Sequence, residues 1–270
     1  MITAQERRRF LAGVASAYGR TGAAWSTGPA LVYDRLARAL VAASPVPLAG
    51  RTVVDVGVGT GAASLAVVVA GGRAVALDLA PPMLRAHRAP VVGAIAGEAT
   101  ALPVGDATVD GVVAAFSLDH LPVPAAGFRE ARRVCRPGSP VLAAAYAADD
   151  DHPVKRAVEQ SVAECGWRPE PWYDAMRATV TAQLSTVGGM AAAAAAAGLP
   201  PGGAHRVVVD MPDLTPAQLV AWRLGMAQVA PFLAPAGLET RQRVTARALE
   251  LLGPDPPPLR RPIVVYAGTT

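Results

Sequence analysis

The spacing of apolar residues changes character near residue 50. Before it, Phe10, Leu11, Val14 and Ala17 fall on one face of a predicted helix over 5–18. Leu31, Val32, Leu36, Leu40 and Val41 do the same over 29–43, and the link at 19–28 carries Trp25. From Arg51 onward the pattern becomes strand, turn, helix. Residues 52–56 read as a buried strand, 57–61 as a tight turn and 62–70 as a helix. A second strand over 73–77 ends at Asp78, a helix starts over 81–87, and 91–95 predicts a short third strand. A fourth strand over 109–116, a helix over 124–135 and a fifth strand over 140–146 follow. Strands alternating with helices predict a parallel sheet covered on both faces. The alternation then breaks. Two helical stretches occupy 149–186, and a helix runs through the alanine tract to 197, alanine being the best helix former. A sixth strand over 206–209 comes next, then two helices over 215–252 with Thr215 as cap and Pro216 in the first turn, and a last strand over 262–266. No repeat and no long linker interrupts the chain.

Composition narrows the class. The chain has 270 residues, 52% apolar and 17% charged, enough for one large domain with an extensive core and too apolar for global disorder. Cys135 and Cys165 stand apart with no CxxC or Cys/His cluster, which argues against a disulfide framework or a thiolate zinc site and suits a reducing cytoplasm. Apolar stretches such as 62–70 fall short of the ~20 residues a membrane span needs, so no membrane partner is expected. The formal charge of +4 comes from scattered arginines, and 5% aromatics make no stacking platform for nucleic acid. The expected partner is therefore a small molecule and not a nucleic acid, and the expected assembly is a monomer or homodimer. Asp149, Asp150, Asp151 and His152 read as a solvated loop and helix cap, so no metal is expected.

The candidate chemistry lies at strand ends. Gly57, Gly59 and Gly61 let the chain turn tightly and let a ligand approach without a Cβ in the way, ahead of a helix N-terminus. Asp78 ends the next strand, where a carboxylate can accept both hydroxyls of an adenosine ribose. This pair suits NAD and S-adenosylmethionine equally. Three further features weigh toward the second. Asp55 stands inside the strand where a dinucleotide turn usually has an apolar residue, Glu98 and Ala99 follow the third strand, and Phe116, Ser117 and His120 close the fourth.

This succession, with Arg133-Val-Cys-Arg-Pro137-Gly138 before the fifth strand, resembles class I S-adenosylmethionine-dependent methyltransferases. It is most similar to the bacterial small-molecule group of ubiquinone and menaquinone biosynthesis, closely over about 49–147 and loosely elsewhere. The resemblance implies a Rossmann-like α/β fold: a seven-stranded, mostly parallel sheet with an antiparallel last strand, helices on both faces and helical lid insertions. It implies one domain over 1–270, with a lid at 1–48, a cofactor-binding core at 49–148, a helical insertion at 149–186 and the rest of the sheet at 187–270. S-adenosyl-L-methionine is the implied cofactor. The turn at Gly57, Gly59 and Gly61 would wrap its methionine part near Asp55, and Asp78 would hold the ribose. Leu79 and Met83 would pack near the adenine, whose amino group would meet Glu98 and Ala99. The family usually has Asp where this chain has Glu98. Tyr18 would meet the methionine carboxylate, Phe116 and Ser117 would flank the sulfonium, and His120 would be the base where the acceptor must lose a proton. Trp25, Trp167, Trp172, Tyr173, Trp222 and Arg223 would shape the acceptor pocket. The implied activity is methyl transfer to a small molecule, with the accepting atom open between oxygen, nitrogen and carbon. A non-methylating enzyme on this scaffold, an RNA methyltransferase and an NAD(P)-dependent oxidoreductase are the alternatives.

Overall fold

The computed structural model describes residues 4–177 and 181–270. Residues 178–180 of the predicted insertion lie outside the described residues. Seven strands form one sheet: β1 (Thr52–Val56), β2 (Arg73–Asp78), β3 (Gly93–Ala96), β4 (Gly111–Ala115), β5 (Pro140–Tyr146), β6 (Ala204–Met211) and β7 (Leu259–Thr269). Their order is β3-β2-β1-β4-β5-β7-β6, with β7 antiparallel to both of its neighbours and the other pairings parallel. The seven-stranded, mostly parallel arrangement agrees with the expectation from sequence.

The central strands are apolar runs because both of their faces are covered. Val53, Val113, Leu142 and Val265 face one core, where they meet Val32, Leu36, Leu40 and Val67. Their immediate neighbours Val54, Val112, Val141 and Val264 face the other, with Phe128, Val134 and Met190. The period of two along each strand thus assigns alternate valines to opposite cores. The first layer comes from α3 (Pro29–Ala42), α4 (Ala62–Val69) and α10 (Pro216–Leu224), and the second from α6 (Pro124–Val134) and α9 (Val187–Ala195). Arg133 of the Arg133–Gly138 motif ties α6 to the preceding loop. Its guanidinium donates to the carbonyls of Leu102 at 3.0 Å and Val104 at 2.9 Å.

Chain order reverses between β1 and β4, which leaves a crevice at their carboxyl ends. Above it sit α1 (Ala4–Gly19), α2 (Gly22–Thr27) and α3, and α5 (Pro81–Arg85) lies at its side. Around these pack α7 (Pro153–Ala163), α8 (Pro171–Ala175), α11 (Ala230–Leu233) and α12 (Leu238–Leu252). The stretch read as two helices over 215–252 is three, because Pro235 and Gly237 fall in the break between α11 and α12. The alanine helix stops at Ala195, and Gly198 at φ +77° supplies the left-handed residue of the turn that follows.

The acidic run after β5 is the expected solvated loop and helix cap except at Asp150, whose side chain is buried. Asp149 pairs with Arg206 at 2.6 Å and Asp151 with Arg156 at 2.8 Å. His152 caps α7 by accepting from the Val154 N–H at 3.2 Å. Asp150 goes inward. Its Oδ2 lies 2.9 Å from Nη1 of Arg261, whose side chain is 2% exposed, and 2.8 Å from Nζ of Lys155. The Arg261 guanidinium is sandwiched, 4.2 Å from the Tyr146 ring and 4.7 Å from the Trp222 ring. A buried cation is tolerated only with its partner. Asp150→Ala should therefore lower the unfolding free energy by about 3–5 kcal/mol in urea titrations. The double variant with Arg261→Met should recover part of that loss. An unchanged midpoint in Asp150→Ala would show that the pair does not hold this end of the sheet.

Candidate active site

The crevice opens into a cavity enclosing about 1070 Å³, counting its mouth, bounded by the ends of β1, β2 and β4 and by the N-terminal helices. Its floor is the turn after β1. Gly57 takes φ +72° and Gly59 φ +53°, values that favour glycine. A Cβ on Gly57 would stand 2.4 Å from that of Ser117, whereas one on Gly59 would meet nothing within 4 Å. Gly57 is thus small so that two loops can touch, and Gly59 leaves open space on the cavity side. Ser117 closes the contact by donating its hydroxyl to the Val56 carbonyl at 2.6 Å.

Two buried carboxylates flank the turn. Asp78 accepts the Gly59 N–H at 2.9 Å and the Ala80 N–H at 2.8 Å, one on each oxygen, and a carboxylate has capacity for about four hydrogen bonds. Burial raises its pKa, opposed by those backbone hydrogen bonds. Asp55 accepts the Ser64 hydroxyl at 2.8 Å, and burial pushes its carboxyl up to about 7. Leu79, Glu98 and Ala99 extend this polar end of the cavity. Glu98 also accepts a short hydrogen bond from the Thr100 hydroxyl.

The opposite end is apolar and aromatic. Phe116 adopts φ +58°, a left-handed conformation that costs a non-glycine residue of order 1–3 kcal/mol. It is held by stacking on Tyr146 at 4.6 Å and by the edge of Tyr33 at 5.4 Å. Tyr33 in turn packs against Trp25 at 4.9 Å, and Trp25 against Tyr18 at 5.5 Å. His120 sits in a single 3₁₀ turn, Leu118–His120, just past β4. Its Nε2 is 2.9 Å from the Tyr18 hydroxyl and its Nδ1 is 3.0 Å from Oδ1 of Asp119. Burial, followed by the Asp119 charge, raises the Tyr18 pKa well above its usual value. The Tyr18 hydroxyl is thus a donor at ordinary pH.

The structure brings Tyr18, Trp25, Asp55, Gly57, Gly59, Asp78, Leu79, Glu98, Ala99, Phe116, Ser117 and His120 to one cavity. Within the cavity the Tyr18 hydroxyl lies 2.9 Å from Nε2 of His120. Seven expected residues do not line the cavity. Gly61 starts α4 at φ +92°, where a Cβ would stand 2.7 Å from Nε2 of His87. Met83, within α5, is fully buried. Trp167 donates its indole N–H to the Gln228 carbonyl at 2.9 Å, in a separate core with Val229 and Val244. Trp172 packs on α1, where a Cβ on Gly13 would stand 2.9 Å from its own, and Tyr173 lies beside it at 5.6 Å. Trp222 is fully buried between Arg261 and Arg223, and Arg223 faces Glu159 at 3.6 Å. Of these, Trp172, 6.5 Å from the Tyr18 ring, backs the wall from outside. Leu11, Val14, Ala15, Tyr33 and Ala37 line it instead. Their signal was the buried face of the first helices, with Tyr33 and Ala37 one turn apart.

The Asp55 carboxyl sets a pH dependence. Burial pushes its pKa up to about 7 in the folded chain against 3.8 for a free aspartate, so the fold favours the protonated form. Between those values the native state holds a proton that the unfolded chain has lost, and stability falls as pH rises through that window. Asp55→Asn removes the penalty. Urea unfolding should show the variant more stable than wild type at pH 8, with the difference vanishing near pH 4. A constant difference across that range would mean that Asp55 is not the group responsible.

Residues 54–143 match the family model described as "Methyltransferase domain". Among characterised sequences, the demethylmenaquinone methyltransferase of Mycobacterium bovis is 35% identical over 130 residues, 48% of this chain and 54% of the relative. The chain spans about half the length of the curated relatives it matches. Among solved structures, a protein from an antibiotic biosynthesis pathway of Anabaena variabilis superposes with a TM-score of 0.58 at 17% identity, covering 86% of this chain and 96% of that one. Phosphoethanolamine N-methyltransferase 2 of Haemonchus contortus, solved in complex with S-adenosyl-L-methionine, gives a TM-score of 0.51 at 17% identity, covering 86% and 51%. At these identities the structural likeness concerns the fold. Among the described residues, no helix is long and apolar enough to cross a membrane.

Proposed function

We propose that this chain, which carries a class I methyltransferase domain, binds S-adenosyl-L-methionine in the β1–β4 crevice and transfers its methyl group to a small molecule. The observation that carries this reading is the glycine turn clamped by Asp78. The carboxylate is already fixed by the Gly59 and Ala80 N–H groups, and with capacity for about four hydrogen bonds it can still accept from a ribose diol. The residues fit the cofactor in three respects. The Gly59 side of the turn is open where a Cβ would otherwise project. Asp78 and Glu98 stand at the end where hydroxyl and amino groups need acceptors. The carboxylates and the aromatic faces of Phe116, Tyr33 and Trp25 suit a cationic centre between them.

When bound, the cofactor supplies a methyl group already activated on a sulfonium. The chain's own share is then positioning, which can supply roughly 7–11 kcal/mol of a bimolecular barrier. Phe116 and Tyr33 form the wall that excludes water, and α1 closes the acceptor end with Leu11, Val14 and Ala15. His120 is the basic group at that end. The largely apolar lining supports a small-molecule acceptor, and the demethylmenaquinone methyltransferase relatives support the same class. We read the chain as one domain, with 1–48 as the lid of this cavity.

Binding tests the reading before any acceptor is known. S-adenosylhomocysteine should bind in calorimetry and raise the melting temperature by linkage, and NAD should do neither. Asp78→Ala should weaken that binding, since each charge-assisted hydrogen bond contributes about 1.5–3 kcal/mol. Binding of NAD with none of S-adenosylhomocysteine would overturn the proposal. A screen of candidate acceptors by mass spectrometry would then identify the methylated product.

A further inference from the structure

We infer that Asp119 is a positioning residue that fixes the tautomer of His120, so that the ring nitrogen facing the methyl acceptor is the one able to take its proton. This rests on the methyl-transfer reading for its purpose, although not for its geometry. Asp119 is 3% exposed, and a carboxylate removed from water needs a hydrogen-bonding partner. Its partner is Nδ1 of the adjacent imidazole, at 3.0 Å. A neutral imidazole carries one N–H. Were that proton on Nε2, the bare lone pair of Nδ1 would point at a carboxylate oxygen. With the proton on Nδ1 the contact becomes a charge-assisted hydrogen bond, about twice as strong as a neutral one. The carboxylate therefore selects the Nδ1–H form.

The opposite nitrogen then carries the lone pair. Nε2 lies 2.9 Å from the Tyr18 hydroxyl, which burial keeps protonated and which can therefore donate to that lone pair. Other titratable groups near this pair are Asp78, Tyr146 and Tyr173, none of which reaches the Nδ1 side with a hydrogen bond. The intervening backbone supports the arrangement. The His120 N–H donates to Ser117 O at 3.1 Å, so the same short turn that joins the glycine loop also aims the imidazole.

The consequence is a defined proton path. Nε2 takes the proton of the acceptor's O–H or N–H, and the electron pair of that bond becomes the bond to the methyl carbon. The pair of the broken carbon–sulfur bond stays on the departing thioether. The positive charge thus passes to the imidazole, whose Nδ1–H stays on Asp119, and the extra proton leaves to solvent. The acceptor class is accordingly a weak acid, a hydroxyl or N–H compound, and not an amine that already offers a free lone pair.

Nitrogen-15 NMR of histidine-labelled full-length protein at pH 8 tests this, with His120→Gln identifying the ring among the four histidines. Wild-type His120 should show a protonated Nδ1 and a bare Nε2. Asp119→Ala should shift the ring toward the Nε2–H form, and His152, which is held by other partners, should not change. A dominant Nε2–H form in the wild type would overturn the inference, as would an unchanged tautomer in Asp119→Ala. The wild-type measurement stands whether or not the variant folds. With an acceptor in hand, Asp119→Ala should lower kcat on the order of 10²-fold while S-adenosylhomocysteine affinity stays within about twofold. An unchanged kcat would likewise overturn it. S-adenosylhomocysteine binding is measured separately, so its absence would fault the methyl-transfer reading and leave the tautomer result intact.

Discussion

Gly57 and Ser117 come as close as two residues can, and the rest of the cavity is arranged around that contact. The turn after β1 and the turn after β4 leave the sheet at the point where chain order reverses. They can meet only because Gly57 has no side chain and tolerates φ +72°. The Ser117 hydroxyl then bonds to Val56 O, locking the end of β1 to the loop after β4. From the other side, Asp78 at the end of β2 takes the Gly59 N–H. The glycine turn is therefore held by strands on both sides. Its open face is fixed before any ligand arrives, which reduces the ordering that binding would require.

That clamp also divides the cavity by polarity. Asp55, Asp78 and Glu98 lie on the β1–β2–β3 side, while Phe116, Tyr33, Trp25 and Tyr18 lie toward β4 and the N-terminal helices. A group with a positive centre, hydrogen-bonding hydroxyls at one end and an apolar partner at the other matches this division. The aromatic end stays rigid through a stack that continues into the core. Phe116 lies on Tyr146, Tyr146 on the Arg261 guanidinium, Arg261 on Trp222, and Trp222 against Arg223. The left-handed backbone at Phe116 is strained, and this stack holds the ring against that strain.

Most of the architecture was legible in the sequence because the strands are short apolar runs set off by glycine, proline and acid. β1 and β5 came out at the expected bounds, whereas β3 starts two residues later and ends one later than expected because little distinguishes its ends. The polar end of the cavity was legible for the same reason. Its residues belong to the turns themselves, so Asp55, Gly57, Gly59, Asp78 and Glu98 are placed by strand position alone. The acceptor end was not. Trp167, Trp172 and Trp222 were expected in the pocket because tryptophans are scarce in this chain, yet a buried aromatic serves as core as readily as lining. The choice between these depends on helix rotation. Close packing at Gly13 turns Trp172 toward α1, and Gly28 and Gly225 let α10 approach the helices around Trp25. Such close approaches join residues far apart in the sequence and leave no local period. Asp119 was overlooked for a related reason. Spacing alone gives an acidic residue beside a histidine no role, and only the side-chain geometry reveals its bond to Nδ1.

The N-terminal helices complete the cavity rather than merely cover it. Without α1 the Nε2 of His120 would have no hydroxyl partner, and without α3 the Phe116 ring would lose the Tyr33 edge. The packing on α1 is uneven. Val14 and Ala17 are buried, whereas Phe10, Leu11, Ala15 and Tyr18 are only partly covered. Trp172 supports this helix at Gly13 and lies 6.5 Å from the Tyr18 ring. The insertion after β5 thus acts on the acceptor end at one remove, by fixing the helix that carries Tyr18. An acceptor that gives its proton to Nε2 must share or displace the Tyr18 hydroxyl. The packing of α8 against α1 thus bears on the cavity only through the helix that carries Tyr18, since no α8 side chain lines it.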